Sequence, residues 1–381
     1  MFNTFLSKMS PSHYTLSFAP IARHRIKLLA YALLFIGCSE KIFYLEAPEF
    51  HDAISKPGPE PPLELLWERK IDGPPLGGAL FAGSLVLQLT TLSTLHAFDR
   101  YSGLALGKKK CGDAVCSAGS LAGELYLLGD LSDKAGLRAL DRKTMQERWR
   151  HQGVFCLAPE VRGDTLLAID EEGTLDALER SEGRLLWQLD LGSKVRVGPS
   201  LSQDLVFVGT VKGDLIALEL ISGAERWRLE LGESSRSRPL LAEDRLFVST
   251  ASGRVIAVSI DSGRVVWEQS LGGLPTEELA LGSGVLVVGC VDRNIYGLDP
   301  ETGVIEWTFT TGGVVRSSPQ VTSQTVYCAS SDNYLYALEL ASGHLLWKYR
   351  LNGPILAPVT VADGLVSVAT EERTLYVFGH R

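Results

Sequence analysis

Three arginines occupy the same place in three similar stretches of sequence, and they are the first candidates for chemistry. Arg196, Arg236 and Arg316 each lie three residues before a proline, in KVRVGP, SSRSRP and VVRSSP. The planar guanidinium group suits carboxylates and phosphates, so a cluster of arginines could bind an anionic group. The alternative is structural: each arginine caps backbone carbonyls or pairs with a nearby Asp or Glu.

Cysteines are the second group of reactive side chains. Cys111 and Cys116, in CGDAVC, are spaced so that they could form a small disulfide, which would suit an oxidising compartment. The alternative is two free thiols, while a metal site is disfavoured because no second pair or histidine cluster completes a tetrahedron. Cys156, Cys290 and Cys328 occupy strand positions and are predicted to be small core residues.

Histidines and acids show no catalytic arrangement. The seven histidines are scattered singly, and none has a serine, cysteine or acid at a spacing typical of a triad. Acids recur at the same place in ALDR, ALER and GLDP, where they are predicted to cap turns. The sequence therefore predicts no catalytic residue, no metal site and no cofactor.

The N-terminal 37 residues are predicted to be a signal peptide of the lipoprotein type. In IARHRIKLLAYALLFIGCSE a basic cluster precedes an apolar run that ends at Gly37-Cys38. The run is shorter than the about 20 apolar residues that a membrane span needs. Its end resembles the lipobox of bacterial lipoproteins, which implies cleavage before Cys38 and acylation of Cys38. A plain signal peptide or an uncleaved anchor is the alternative, and Met9 is a second possible start.

Residues 38–62 are predicted to be a tether. The stretch ends in KPGPEPP, whose prolines and charges favour a stiff, extended chain that does not pack. The net charge of −8 argues against general affinity for nucleic acid.

Tryptophan marks an internal repeat. After an interval of 82 residues and one of 38, the remaining intervals are all 40, and the seven tryptophans are Trp67, Trp149, Trp187, Trp227, Trp267, Trp307 and Trp347. Within the long first interval, DRYSGLALG has Gly107 where a tryptophan would stand. Repeats of about 40 residues indicate propeller blades or solenoid units.

Each repeat contains four short apolar segments separated by turn residues. In residues 195–231 these are VRVGPSLS, LVFVGT, LIALEL and ERWRLEL, which have the length and β-branched composition of strands. A glycine closes the turn before the fourth strand, and tryptophan follows four residues later as a plug between neighbouring blades.

The repeat predicts an all-β, eight-bladed propeller of four-stranded antiparallel blades over residues 63–381. First strands are expected to start near residues 76, 115, 155, 195, 235, 276, 315 and 355. The last repeat lacks a tryptophan strand, so the N-terminal strand around Trp67 is expected to complete it and close the ring, which removes two open sheet edges.

The repeats resemble those of the pyrroloquinoline-quinone type, seen best in SPQVTSQTVYCASSDNYLYALELASGHLLW at residues 318–347. One branch of that family is the quinoprotein dehydrogenases, which bind a quinone and calcium. Many members also carry an adjacent Cys-Cys disulfide. This chain has no adjacent cysteines, no large insertions, and no evident carboxylate and amide cluster for calcium.

The other branch is the BamB-type lipoproteins, which help the β-barrel assembly machine at the bacterial outer membrane. Signal, lipobox-like end, tether, propeller and length are similar to that plan. The Leu-x-Leu-Arg and Asp-x-Asp docking stretches of that branch are absent from LGSKVRVGP, LGESSRSRP and LGGLPTEEL.

The resemblances and the arginine cluster together suggest three functions. The first is a non-enzymatic scaffold, lipid-anchored to the outer membrane, that faces the periplasm and holds other proteins, among them the assembly machine. The alternative is a ligand-binding or sensory propeller that recognises an anionic peptide or metabolite at Arg196, Arg236 and Arg316. A quinoprotein dehydrogenase comes third.

Overall fold

The computed structural model describes residues 58–170 and 172–381, and the regular secondary structure of these residues consists entirely of β-strands. No helix in this part of the chain could cross a membrane. The strands form eight four-stranded antiparallel sheets arranged as blades in a ring. The predicted eight-bladed propeller is therefore confirmed. The predicted signal peptide, Cys38 and most of the tether lie outside the described residues.

Strands are numbered along the chain, and each blade is built from consecutive strands except the last. Blade 1 comprises β2 Leu80–Ala82, β3 Leu85–Leu89, β4 Thr94–Asp99 and β5 Ala105–Lys110, and blade 2 comprises β6 Ser120–Ala122, β7 Leu125–Asp130, β8 Gly136–Asp141 and β9 Glu147–Gln152. Blade 3 comprises β10 Glu160–Arg162, β11 Thr165–Ile169, β12 Thr174–Glu179 and β13 Leu185–Asp190, and blade 4 comprises β14 Ser200–Leu201, β15 Leu205–Gly209, β16 Asp214–Glu219 and β17 Glu225–Glu230. Blade 5 comprises β18 Leu240–Ala242, β19 Arg245–Ser249, β20 Arg254–Ser259 and β21 Val265–Ser270, and blade 6 comprises β22 Ala280–Gly282, β23 Val285–Gly289, β24 Asn294–Leu298 and β25 Ile305–Thr310. Blade 7 comprises β26 Gln320–Val321, β27 Thr325–Ala329, β28 Tyr334–Glu339 and β29 Leu345–Arg350, and blade 8 comprises β30 Thr360–Ala362, β31 Leu365–Thr370 and β32 Thr374–Gly379 with β1 Glu64–Lys70.

Burial changes systematically across each blade. The second and third strands are almost wholly buried, as in β15 and β16, because neighbouring blades cover both of their faces. The fourth strand, such as β17, has an exposed outer side. First strands of neighbouring blades approach one another, as β10 and β14 do, since they line the central channel. The core is therefore a set of layers between blades.

The ring is closed by the N-terminal strand. β1 pairs antiparallel with β32, from Glu64 opposite Gly379 to Lys70 opposite Thr374. This confirms that the segment around Trp67 completes the last blade. The pairing supplies partners for backbone groups that would otherwise form an open sheet edge.

The first strands begin later than predicted. β14 starts at Ser200 rather than near residue 195, and the other blades show a similar delay. The residues before each first strand form a loop that leads from the outer strand of one blade to the channel, called here the lead-in loop. It makes at most an isolated bridge, such as Pro75 to Thr90. Proline at the end of several lead-in loops cannot donate to a ladder, so regular pairing starts after it.

The tryptophans pack between blades as predicted, and each contacts the following blade. Trp67 donates its indole N–H to the carbonyl of Arg100 at 2.9 Å. A Cβ on Gly103, in the same turn, would lie 2.5 Å from the Trp67 ring. The turn therefore needs glycine both for its positive φ and to admit the tryptophan of the preceding blade. The same indole bond recurs in five other pairs: Trp149–Arg180, Trp187–Leu220, Trp227–Ile260, Trp267–Pro300 and Trp307–Leu340.

The interface between blades 1 and 2 lacks both the tryptophan and the turn glycine. Gly107 replaces tryptophan in blade 1, and Met145 occupies the turn position of blade 2 that corresponds to Gly103. Met145 is buried and belongs to the same apolar cluster as Ala97, the cross-strand partner of Gly107. The methionine side chain thus occupies this interface in place of an indole.

The end of the predicted tether packs against blade 7. Pro59 is buried and its carbonyl accepts a hydrogen bond from the Tyr327 hydroxyl. A Cβ on Gly58 would lie 2.0 Å from Thr322 Cγ2. The prediction that this stretch does not pack is wrong for Gly58 and Pro59, because the compact apolar proline and the small glycine fit closely against the blade.

Candidate functional site at the channel mouth

One position of the repeat places eight residues at the same end of the channel, and we call them the mouth ring. They lie 40 residues apart in the lead-in loops: Leu76, Cys116, Cys156, Arg196, Arg236, Thr276, Arg316 and Leu356. Several donate their backbone N–H to the last residue of their blade's second strand, as Leu76 does to Leu89 and Thr276 to Gly289, both at 2.9 Å. The shared register places ring members at the same depth.

The mouth ring contains a disulfide that joins two blades. Cys116 and Cys156 are bonded, with their Cα atoms 4.9 Å apart. The predicted Cys111–Cys116 bond is wrong, as is the prediction that Cys156 is a core residue. Cys111 is buried and free after the outer strand of blade 1. The sequence did contain the signal, because the separation of 40 residues equals the repeat and places both cysteines at equivalent positions of neighbouring blades.

The other free cysteines are core residues, as predicted. Cys290 and Cys328 are buried and unbonded. Burial raises the pKa of each thiol to about 12. Burial likewise raises the pKa of the Cys111 thiol to about 11, although Arg138 acts in the opposite direction. Such thiols carry almost no thiolate near neutral pH and are poor nucleophiles.

The three predicted arginines all belong to the mouth ring, but their surroundings differ. Arg236 donates from Nε to the Pro275 carbonyl at 3.3 Å, and its Nη1 lies 3.1 Å from Glu277 Oε1. This is the structural role considered as the alternative. Arg196 and Arg316 are exposed, and their side chains have no hydrogen-bond or ion-pair partner within residues 58–170 and 172–381. An anion site at these two arginines therefore stays a prediction.

A second layer lies two residues further along each lead-in loop. It consists of Gly78, Ala118, Ala158, Gly198, Arg238, Glu278, Ser318 and Pro358, so that two charged side chains stand among mostly small residues. Arg238 Nη2 lies 2.7 Å from Glu160 Oε1, and its Nε donates to Ser200 Oγ at 3.3 Å. The guanidinium thus reaches from blade 5 to blade 3. On the way it contacts blade 4 through Ser200.

Glu278 is the unpaired acid of the second layer. Its carboxylate has no hydrogen-bond or ion-pair partner among the residues that the structure describes. Burial raises the pKa of this carboxyl group, and Arg238 only partly opposes the effect. The sequence reasoning missed Arg238 and Glu278; comparison of this position between repeats would have shown them.

The channel mouth does not suit a quinone with calcium. Calcium needs roughly six to eight oxygen ligands. The mouth ring instead offers arginines, leucines and a disulfide, and half of the second layer is glycine or alanine. Across the described part of the chain, no group of three or more His, Cys, Asp or Glu residues could hold a metal ion.

A family profile described as outer membrane protein assembly factor BamB matches residues 64–194, 171–277, 252–347 and 295–380. Together these matches span the propeller. The chain belongs to the BamB family. The curated proteins contain no match to the sequence.

Solved structures similar to this member of the BamB family share its fold at low identity. BamB from Moraxella catarrhalis is 16% identical with a TM-score of 0.71, over 84% of this chain and 100% of that one. The computationally designed Ika8 protein is 16% identical with a TM-score of 0.73, over 82% and 98%. The quinohemoprotein alcohol dehydrogenase of Comamonas testosteroni is 13% identical with a TM-score of 0.69, over 83% and 76%. At such identities the likeness concerns the fold alone.

Proposed function

We propose that this protein is a non-enzymatic, lipid-anchored scaffold that holds partner proteins at the bacterial outer membrane and supports the assembly of β-barrel proteins. In this proposal the propeller faces the periplasm and is attached through acylated Cys38. The supporting observation is the family match, which extends over residues 64–380 in overlapping segments. The chain also covers the whole length of the Moraxella catarrhalis BamB structure.

The partner contact must differ in detail from that of the BamB-type proteins considered above. Their docking stretches are absent, and the lead-in loop between β13 and β14 spans only residues 191–199. Docking would therefore use short loops and blade surfaces.

Co-purification tests the scaffold role. The tagged protein would be solubilised from cross-linked membranes, and subunits of the barrel assembly machine are expected among the captured proteins. A matched Cys38→Ala variant should leave the membrane or accumulate as uncleaved precursor, because it lacks the residue that would carry the acyl chains. Stable attachment needs several such chains, since one alone anchors a protein only weakly. Capture of no assembly subunit by the wild-type protein would contradict the proposal.

The dehydrogenase alternative has a separate test. The purified protein would be mixed with pyrroloquinoline quinone and calcium, and alcohol-dependent reduction of a dye would be measured. No reduction above a protein-free control is expected, since the mouth residues do not suit those groups. Turnover that needs the protein, the quinone and an alcohol would instead support an enzyme.

A further inference from the structure

The mouth ring has two chemically different sides. Arginines stand on blades 4, 5 and 7, as Arg196, Arg236 and Arg316. Leu356 on blade 8 and Leu76 on blade 1 form an apolar side, which the disulfide continues onto blades 2 and 3. Leu356 is 43% exposed although it lies beside the channel. The ring thus offers cationic donors opposite accessible apolar surface.

The cationic side has unused binding capacity. Arg196 and Arg316 are exposed and lack side-chain partners within the described residues. Arg236 is held by Glu277, but that carboxylate is 55% exposed, so water screens the pair. An incoming carboxylate can therefore bind the first two arginines directly and compete for the third.

The acids near the mouth do not neutralise these two arginines. Glu160 is already paired with Arg238 at 2.7 Å. Glu278 lies one layer deeper, and burial raises the pKa of its carboxyl group, which favours the neutral form. The net charge of the whole protein is −8, so a locally cationic ring is a departure from its general surface.

The ring is narrow enough for neighbouring members to act on one ligand. Cys116 and Cys156, on adjacent blades, have Cα atoms 4.9 Å apart. Arg196 and Arg236 occupy the equivalent positions on the adjacent blades 4 and 5. Two guanidinium groups bind one carboxylate better than a single group does, once Arg236 exchanges Glu277 for the ligand.

We propose that the mouth ring binds an acidic, leucine-bearing segment of a partner protein. Its carboxylates contact Arg196, Arg236 and Arg316, and its apolar side chains pack against Leu76 and Leu356. The charge and apolar surface of the ring favour this occupant over a purely anionic small molecule. The inference is independent of the assembly role, since it states the chemistry of the segment and not the protein that carries it.

Fluorescence anisotropy with purified protein tests the binding. The probe is a short labelled peptide of alternating Glu and Leu. The variant Arg196→Gln/Arg316→Gln is expected to bind about tenfold more weakly, with a shallower dependence on salt. The control Arg162→Gln/Arg264→Gln removes the same charge from two exposed arginines that have no side-chain partners in the described residues and lie outside the ring. It should stay within about twofold of wild type.

Three outcomes would overturn the inference. They are no binding by the wild-type protein, equal binding of a Gln–Leu peptide, and equal weakening by the control variant. Leu356→Ser tests the apolar side: it should weaken the Glu–Leu peptide and leave a Glu–Ser peptide unchanged, and any other pattern contradicts the proposed leucine contact. Loss of peptide binding with intact co-purification of assembly subunits would refute this inference alone, and the reverse result would refute the scaffold role alone.

Discussion

Blades 1–3 and blades 4–7 are built on the same repeat but stabilised differently. At one repeat position, just beyond the third strand, blades 4–7 carry an apolar residue: Leu220, Ile260, Pro300 or Leu340. Blades 1–3 carry Arg100, Arg142 and Arg180 there. Arg142 is 1% exposed, and its Nε and Nη1 have no hydrogen-bond partner within residues 58–170 and 172–381. Blades 1 and 2 therefore bury a charge at a position that the later blades fill with apolar side chains, whereas Arg180 of blade 3 is only partly buried.

The difference extends to the contacts between blades. From Trp187 onward the tryptophans recur every 40 residues, and as far as Trp307 each makes the indole bond to the next blade. Trp149 of blade 2 makes the same bond to blade 3, but the early blades also contain the Gly107–Met145 interface and the Cys116–Cys156 disulfide. A regular repeat can thus be stabilised by one recurring contact, whereas departures from it require individual solutions.

The largest effect on stability is expected in blades 4–7, called here the regular blades because their tryptophans recur every 40 residues. Trp307 is 8% exposed and donates to the Leu340 carbonyl at 2.9 Å. Trp307→Ala should lower the free energy of unfolding by about 3–5 kcal/mol, because it removes this bond and leaves a cavity between blades. Chemical denaturation followed by circular dichroism measures the change. A loss below about 1 kcal/mol would show that the blades do not depend on the plug.

Two glycines provide a matched control for the tryptophan contact. Gly343 and Gly364 have similar positive φ values, 68° and 77°. A Cβ on Gly343 would lie 2.5 Å from Trp307, whereas one on Gly364 would meet nothing within 4 Å. Alanine at either position adds backbone strain, but Gly343→Ala should cost more by about 1–3 kcal/mol through overpacking. Equal losses would mean that the tryptophan does not need the space.

In blades 1–3, called here the irregular blades, the disulfide should make the next largest contribution to the free energy of unfolding. Cys116→Ser is expected to destabilise the protein by about 2–4 kcal/mol under oxidising conditions. Reductant should lower the stability of the wild type and leave the variant unchanged. Cys111→Ser is the control and should keep the sensitivity to reductant. Peptide mapping without reduction should find Cys116 linked to Cys156; linkage to Cys111 would contradict the structure.

The Gly107–Met145 interface can be converted towards the regular type. Gly107→Trp alone should destabilise, because Met145 already fills the space. Combined with Met145→Gly it should recover stability, with a coupling free energy of about 0.5–3 kcal/mol in a double-mutant cycle. Additive effects would show that the two positions are not the counterparts of a tryptophan and its turn glycine.

The smallest expected effect concerns a carboxylate in the regular blades. Burial alone would raise the pKa of Glu233, but hydrogen bonds from Ser252 and Arg254 outweigh it and lower the pKa from 4.5 to about 2. A depressed pKa stabilises the fold above about pH 4.5, and this contribution is lost as pH falls towards about 2. Stability of Glu233→Gln should therefore fall less steeply over that range in urea titrations. If the stability of the variant and of the wild type fell equally with pH, the role assigned to the Glu233 carboxylate would be contradicted.

The fold was largely predictable because its signals are local and repeated. Strand-forming segments, turn glycines and tryptophans recur along the chain, and the unpaired tryptophan strand at Trp67 already indicated how the ring closes. The candidate site was predictable in part. Arg196, Arg236 and Arg316 share a ring, but their partners come from other blades. Glu277, which pairs with Arg236, lies on the next blade and carries no sequence signal of its own.

By itself, the sequence determined the number of blades, their strand order and the closing strand, because each depends on periodic patterns within the chain. Tertiary structure decided which side chains meet across blades. It pairs Cys116 with Cys156 and not Cys111, brings Arg238 to Glu160, and leaves Arg196 and Arg316 without partners in the described residues. These contacts depend on distances between separate blades, which a pattern along one repeat does not specify.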